Sequence, residues 1–127
     1  MGNEKKKFVV GVLCKDGKCL AEKRHTNEEH FGGMTIFPGG LIEVGETAEV
    51  ALVREMKEEL DIKVKKYNHL MDFVYEKDGC PLTVFTVTEW EGEPKAQEAE
   101  SILWARSEEE LSDELNKEIY RCLQKQI

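Results

Sequence analysis

Three glutamates crowd one short stretch of the chain, at Glu55, Glu58 and Glu59. On a helix, this i, i+3, i+4 spacing places the side chains within an arc of about 100°. Like charges at these spacings cost an isolated helix roughly 0.2–0.5 kcal/mol per pair, so the set needs compensation. A hard divalent cation provides it, because Mg²⁺ prefers carboxylate oxygens, water and phosphates as ligands. The competing interpretation is an acidic helix face that is simply hydrated.

The segment 47–60 has the pattern of the helix that carries these glutamates. Thr47 can cap the N-terminus, and Glu49 lies in the first turn, where the helix dipole favours an anion. The spacing predicts a buried apolar stripe that consists of Leu52, Val53, Met56 and Leu60. The carboxylates would then lie at the border of the core.

Strands surround this helix in the predicted order β-β-β-α-β-β-β-α. Apolar runs and turn signals predict strands at 8–14, 18–22, 34–37, 62–76, 81–90 and 102–105, and a last helix at 116–126. Pro38-Gly39-Gly40 is expected to break regular structure. The order predicts an α/β (α+β) fold, in which a mixed sheet is covered by helices on both faces.

The composition limits the possible functions. The 127 residues suit one compact domain, and a hydrophobic share of 40% suits a packed core. The net charge of −8 argues against a protein that binds nucleic-acid polymers. No apolar run is long enough to span a membrane, and the polar segment 1–7 does not resemble a signal peptide, so we expect a cytoplasmic protein. The four cysteines include no CxxC pair and predict neither a zinc site nor a disulfide framework.

The acidic side chains concentrate in two segments. Segment 40–62 holds seven acidic and two basic side chains, and segment 91–114 holds nine acidic and two basic ones. The rest of the chain therefore carries a small positive charge. Since the first segment has the spacing of a cation site, part of the negative charge is best explained by a metal site.

Segment 40–62 resembles the Nudix box, G-x5-E-x7-R-E-U-x-E-E-x-G-U, in which U is a bulky apolar residue. Its fixed positions are occupied by Gly40, Glu46, Arg54, Glu55, Met56, Glu58, Glu59 and Ile62. Phe37-Pro38-Gly39 precedes the box, as is common in this family. The chain is thus similar to the Nudix hydrolases, and a weaker similarity to the MutT-type nucleotide pyrophosphohydrolases runs over most of it. The resemblance implies one Nudix hydrolase domain over 1–127, folded as an α/β/α sandwich.

Asp61 is the single departure from the box, since the family has a glycine there that ends the helix, typically with positive φ. Asp tolerates this region better than most residues, at a cost of about 1 kcal/mol. The carboxylate positions are untouched, so we expect an active enzyme.

The resemblance also implies roles for individual residues. Family members hydrolyse a nucleoside diphosphate linked to another moiety, with Mg²⁺ or Mn²⁺ as cofactor. The cation ligands would be Glu55, Glu58 and Glu59, the carbonyl of Gly40, and a glutamate from a distant loop, which is Glu98 or alternatively Glu100. Either Glu55 or Glu58 would act as general base. Arg54 and Glu46 would orient the ligands by hydrogen bonding; an ordinary ion pair between Arg54 and Glu58 is the alternative for Arg54.

Substrate contacts are less well defined by the resemblance. The candidates are Arg24, Phe37, Gly39 and Asn116. A guanidinium at Arg24 suits a phosphate, although a free surface arginine is equally consistent. Asn116 is a possible reader of a purine edge, but an N-cap of the last helix is the favoured interpretation.

The leading hypothesis is a Mg²⁺-dependent enzyme that cleaves a nucleoside triphosphate to the monophosphate and pyrophosphate, with an oxidised purine nucleotide or CTP as substrate. Hydrolysis of ADP-ribose or a dinucleotide polyphosphate is the alternative within the enzyme class. A nucleotide sensor without catalysis is the alternative outside it, although such proteins usually lose box glutamates. The expected partner is a small nucleotide, with no nucleic-acid polymer and no membrane, and the protein would be a monomer or homodimer.

Overall fold

A computed structural model describes residues 6–29, 31–75 and 78–126. The strands are β1 (Phe8–Lys15), β2 (Lys18–Lys23), β3 (Thr35–Ile36), β4 (Gly39–Leu41), β5 (Lys63–Val74), β6 (Pro81–Glu91) and β7 (Ser101–Ala105). The helices are α1 (Ala48–Leu60) and α2 (Glu114–Gln124), with a short 3₁₀ helix at Glu108–Glu110. Glu76 and Lys77, where we predicted a strand end and a turn, lie outside the described residues.

The strands belong to one mixed sheet in the order β3-β2-β1-β6-β5, with β4 paired to β1 and β7 paired to β2. β1 runs parallel to β6, whereas its pairings with β2 and β4 are antiparallel. β2 is enclosed on both edges, because β3 pairs with one edge and β7 with the other. No helix among the described residues is long and apolar enough to cross a membrane.

The core is divided between the two faces of the sheet, as the alternation of side chains along a strand requires. On one face Val9, Leu13 and Leu20 pack against α1. On the other face Val10, Val12 and Ala21 pack with residues of α2. The predicted α/β/α sandwich is therefore confirmed.

One strand was not predicted. Gly39–Leu41 forms β4, in which Gly40 pairs with Val9 and Gly39 with Val10, although we expected Pro38-Gly39-Gly40 to interrupt regular structure. The physical reason is close approach: a Cβ at Gly39 would collide with the backbone oxygen of Val9. The missing side chain therefore allows a pairing that another residue would prevent.

The predicted apolar stripe of α1 is only partly correct. Leu52, Met56 and Leu60 are fully buried, but Val53 is 40% exposed. Val53 lies one residue beyond Leu52, a rotation of about 100° around the helix axis. It faces an open groove with Val50 and Tyr67 rather than the core.

The predicted N-cap of the last helix was wrong. α2 begins two residues earlier than expected, and Asp113 caps it by accepting the N–H of Asn116 at 3.1 Å. Asn116 lies inside the first turn and is buried. Its Nδ2 donates to Asp113 Oδ1 at 2.6 Å, and its Oδ1 accepts the N–H of Phe37 at 3.0 Å. Its amide therefore ties α2 to the chain that enters β4.

Candidate active site

Helix α1 positions the three glutamates of the box. Thr47 caps its start by accepting the N–H of Val50 at 3.1 Å, and Asp61 ends it in the left-handed conformation at φ 57°. The three carboxylates are not equivalent. Glu55 and Glu59 are 8% and 6% exposed, whereas the side chain of Glu58 is 50% exposed. A hydrated acidic face therefore does not describe Glu55 and Glu59.

Arg54 binds the glutamates on both sides of it. It holds the Glu46 carboxylate in a fork, with Nε to Oε2 at 2.7 Å and Nη2 to Oε1 at 2.8 Å. Its Nη1 donates to Glu55 Oε2 at 2.8 Å and to Glu58 Oε1 at 3.2 Å. The ion pair between Arg54 and Glu58 exists, but it is one contact of a larger network. These hydrogen bonds lower the pKa of Glu46 to about 2 and raise that of the arginine.

The backbone of β4 closes on the same carboxylates. Arg54 Nη2 donates to the carbonyl oxygen of Leu41 at 2.8 Å, which ties the helix to the strand. A Cβ at Gly40 would overlap the Glu55 carboxylate. The backbone at Gly40 can therefore lie directly beside a buried carboxylate, the place predicted for its carbonyl as a cation ligand.

The loop between β6 and β7 brings a further glutamate to α1. Two hydrogen bonds anchor this loop to the end of the helix, from Lys95 N to Leu60 O at 3.0 Å and from Gln97 N to Glu59 O at 3.2 Å. The Glu98 carboxyl lies beside that of Glu59 and raises its pKa. Glu100 instead pairs with Lys23 at 3.5 Å. Of the two glutamates considered for this loop, Glu98 is the one placed at the helix.

Sequence reasoning missed a fifth carboxylate, that of Glu22 on β2. Glu22 is 1% exposed, and its carboxyl lies against that of Glu59. Its Oε1 is buried without a hydrogen-bond partner. The signal was in the alternation of β2, since Glu22 lies two residues after the fully buried Leu20 and so shares its inward face. A charged residue at an inward strand position is rare enough to mark a site.

Burial dominates the electrostatics of this cluster. It raises the pKa of Glu22 to about 7 and raises those of Glu55 and Glu59 above their ordinary values. The neighbouring carboxylates add to the effect on Glu59, because Glu98 and Glu22 both contact it. In the part of the chain that is described, no three acidic, His or Cys side chains converge around one point as a metal requires. These carboxylates are instead paired with one another and with Arg54. All of the donors are oxygens, and one of them, Glu22 Oε1, is buried without a partner. Such a donor set fits a hard divalent cation.

The four predicted substrate residues differ in their surroundings. Arg24 follows β2 directly and lies 3.4 Å from Glu28, so the interpretation as a free surface arginine is wrong. Phe37 is 2% exposed and packs in the core with residues of α2. Gly39 lies in β4, and Asn116 is hydrogen-bonded within the protein. Their contacts with a substrate stay predictions.

Comparison with known proteins identifies the family of the chain. A family model of the NUDIX domain matches residues 5–126 of the chain. The 8-oxo-dGTP diphosphatase of Escherichia coli strain K12 is 32% identical over 103 residues, which is 80% of this chain and 80% of that protein. The CTP pyrophosphohydrolase of the same strain is 30% identical over 105 residues, 81% of this chain and 77% of that protein.

Solved structures show the same relationship. A MutT structure, from work on the proteins of Aliivibrio salmonicida and Vibrio cholerae, matches with a TM-score of 0.83 at 26% identity. The match covers 98% of this chain and 100% of the MutT chain. The box of segment 40–62 is thus found on the fold in which it was expected. The chain belongs to the Nudix hydrolase family and is of the MutT type.

Proposed function

We propose that the protein is a Mg²⁺- or Mn²⁺-dependent pyrophosphohydrolase that cleaves a nucleoside triphosphate to the monophosphate and pyrophosphate. The observation that carries the proposal is the pair of buried carboxylates, Glu55 and Glu59, held between Arg54 on one side and Glu98 on the other. Buried charges persist in proteins when a partner compensates them, and a divalent cation with phosphates is the partner that suits oxygen ligands.

In this proposal the cation is held by Glu55, Glu58, Glu59 and Glu98 with the carbonyl oxygen of Gly40. When bound, it would neutralise phosphate charge and make a coordinated water more acidic. Arg54 and Glu46 act on the ligands rather than on the substrate. The fork from Glu46 fixes the guanidinium, and the guanidinium in turn fixes the carboxylates of Glu55 and Glu58.

Glu55 or Glu58 takes the proton of the attacking water. Burial raises the pKa of Glu55, which brings a carboxylate closer to the range in which a base works well near neutral pH. Glu58 has the greater access to solvent, with half of its side chain exposed. Both carboxylates share Arg54 Nη1, so their orientations are coupled.

The two relatives from Escherichia coli support a nucleoside triphosphate as the substrate class. One is named for 8-oxo-dGTP and the other for CTP, and this chain has about the same identity to each. We therefore propose an oxidised purine nucleotide or a cytidine nucleotide. Arg24, Phe37, Gly39 and Asn116 remain the candidates for contact with it.

A nucleotide panel with Mg²⁺ tests the proposal, with pyrophosphate and orthophosphate release measured separately. The panel should contain 8-oxo-dGTP, CTP, the unmodified triphosphates, ADP-ribose and a dinucleotide polyphosphate. We expect pyrophosphate and a monophosphate from a triphosphate. Preferred turnover of ADP-ribose or the dinucleotide would replace this proposal with the alternative hydrolase activity. Binding of nucleotides without any turnover would indicate a sensor instead.

A matched pair of variants assigns the activity to the site. Glu55→Gln removes a proposed ligand, and Glu109→Gln removes an equally charged glutamate from the exposed 3₁₀ helix. We expect turnover to be lost in Glu55→Gln and retained in Glu109→Gln. Equal activity in both variants would place the reaction elsewhere.

A further inference from the structure

Glu22 is a buried acid that the Nudix box does not include. It projects from β2, which is enclosed by β3 and β7 on its two edges. The residue is 1% exposed, and its Oε1 has no hydrogen-bond partner. An unpaired buried carboxylate oxygen is costly, because it has lost its hydration without gaining a hydrogen bond. A protein that keeps such an oxygen has a reason to place it there.

The surroundings of Glu22 are acidic. Its carboxyl contacts that of Glu59, and the charges of Glu55 and Glu98 also act on it. The positive charge of Arg24, which lies two residues further along the chain, acts on the Glu22 carboxyl in the opposite direction. Glu59 is therefore in contact with two other carboxylates, Glu22 from the sheet and Glu98 from the loop.

The site thus has two differently organised halves. In one half Arg54 donates to Glu46, Glu55 and Glu58, so a guanidinium links the carboxylates. In the other half the carboxyl of Glu59 lies between those of Glu22 and Glu98, each of which contacts it. Ionised carboxylates in contact repel each other, and a divalent cation among them turns the repulsion into attraction.

We propose that Glu22 is a cation ligand, which together with Glu59 and Glu98 extends the metal site from helix α1 onto strand β2. The inference rests on the proposed function, because it assigns a further ligand to the same site. It differs from a positioning role, in which Glu22 would only hold Glu59 by a hydrogen bond. The unpartnered Oε1 favours coordination. If Glu22 only positioned Glu59, this buried oxygen would remain without a partner, whereas a bound cation would give it one.

Binding of Mn²⁺ to the metal-free protein, without nucleotide, tests this inference by titration calorimetry or by the spin-resonance signal of free Mn²⁺. Glu22→Gln keeps the shape and hydrogen-bonding capacity of the side chain but loses its charge. We expect Mn²⁺ affinity to fall about tenfold or more in this variant. Glu93→Gln removes an equal charge from an exposed position of the loop between β6 and β7, and it should bind Mn²⁺ like the wild type.

Melting temperatures separate coordination from a structural role. Glu22→Gln should melt above the wild type in EDTA, because a buried charge has been removed, and it should gain less than the wild type when Mn²⁺ is added. A lower melting temperature in EDTA with an unchanged gain from Mn²⁺ would show that Glu22 only supports the fold. If Glu22→Gln does not fold, Glu22→Asp decides: its shorter carboxylate should weaken Mn²⁺ binding, and wild-type affinity would overturn the inference.

The outcomes also distinguish this inference from the proposed function. If the wild type binds Mn²⁺ through Glu22 but hydrolyses no nucleotide, the proposed reaction is refuted and the assignment of Glu22 as a ligand stands. If the wild type hydrolyses nucleotides and the Glu22→Gln variant binds Mn²⁺ equally well, Glu22 is not a ligand and the proposed reaction stands. Failure of the wild type to bind Mn²⁺ at millimolar concentration would overturn the inference.

Discussion

Identical side chains on one helix have different chemistry in this protein. Glu55 and Glu59 are buried and have raised pKa values, whereas the side chain of Glu58, which directly precedes Glu59, is half exposed. Their rotation around the helix explains the difference, since Glu55 and Glu59 are one turn apart on the covered face. Burial makes Glu55 and Glu59 strong candidates for holding a cation, and exposure makes Glu58 accessible to water.

Glu58→Gln tests the role of the exposed glutamate. We expect kcat to fall by about 10²-fold or more, because the variant loses both a carboxylate ligand and a candidate general base. The fold should be unaffected, since half of this side chain is in solvent. Steady-state kinetics with Mg²⁺ and circular dichroism measure the two effects. Full Mg²⁺-dependent turnover in Glu58→Gln would contradict the assigned mechanism.

Glu46→Gln removes the ionised pair that Glu46 forms with Arg54, and we expect the loss to appear in the pH dependence of stability. Arg54 lowers the pKa of Glu46 to about 2 from an ordinary value of 4.5. A lowered acid pKa stabilises the folded state above the unfolded value, and the contribution is lost as pH falls through the folded value. Urea unfolding from pH 7 to pH 3 should show a constant advantage of the wild type above about pH 5 that shrinks towards acid. An advantage independent of pH would mean that the ionised pair is not its source.

Asp61→Gly should stabilise the protein. Asp61 has φ 57°, where glycine has no steric cost, and the substitution should gain about 1 kcal/mol less the small value of the exposed ion pair with Lys57. That corresponds to a rise in melting temperature of at most roughly 3–5 °C. Asp61→Ala, which cannot adopt this conformation as easily, should instead lower it. A fall in the melting temperature of Asp61→Gly would show that the Asp61 side chain has another role.

At the scale of elements, the site is assembled where four segments meet. Helix α1 carries the box glutamates, β4 brings the backbone of Gly40, β2 brings Glu22, and the loop after β6 brings Glu98. Asn116 of α2 supports this arrangement from the other face of the sheet, through its hydrogen bond with the N–H of Phe37. The entry into β4 is therefore fixed by a helix that holds no box residue.

Asn116→Ala tests this link. The N–H of Phe37 would lose its partner while buried, which typically costs about 1–3 kcal/mol. Urea unfolding should show the loss, whereas Lys117→Ala, at the next helix position, should change stability little. Should Asn116→Ala unfold like Lys117→Ala while KM for the substrate rises, Asn116 would be a substrate contact rather than a structural link.

At the scale of the whole molecule, part of the net charge of −8 lies where the proposal needs a cation, in the carboxyls of Glu22, Glu55, Glu59 and Glu98. Arg54 compensates part of the cluster, and the Glu59 carboxyl remains in contact with those of Glu22 and Glu98. The folded state should therefore bind a divalent cation that the unfolded chain does not hold. Binding to the folded state alone stabilises it by mass action.

Mg²⁺ should accordingly raise the melting temperature above that in EDTA. At a Mg²⁺ concentration of 100 times Kd the gain in unfolding free energy is about 2.7 kcal/mol. Scanning calorimetry at matched ionic strength, with NaCl in the EDTA sample, separates binding from general screening. A double variant, Glu55→Gln with Glu59→Gln, should show no gain. An equal gain in this variant would place the cation elsewhere.

The sequence by itself determined the parts of this protein that depend on local spacing. The helix, its cap at Thr47 and the shared face of Glu55 and Glu59 follow from short-range geometry, and the left-handed end at Asp61 was implied by the resemblance to the Nudix box. The layered fold followed from the order and alternation of the elements, because an apolar face must be covered.

Tertiary structure alone decided which distant segments meet. The contacts of Glu22 and Glu98 with Glu59, and the hydrogen bond from the N–H of Phe37 to Asn116, join residues far apart in sequence. β4 formed because Gly39 allows its backbone to approach that of Val9, and Val53 is 40% exposed because it lines an open groove with Tyr67. Spacing fixes the direction of a side chain on its own element, whereas its neighbours depend on how elements pack.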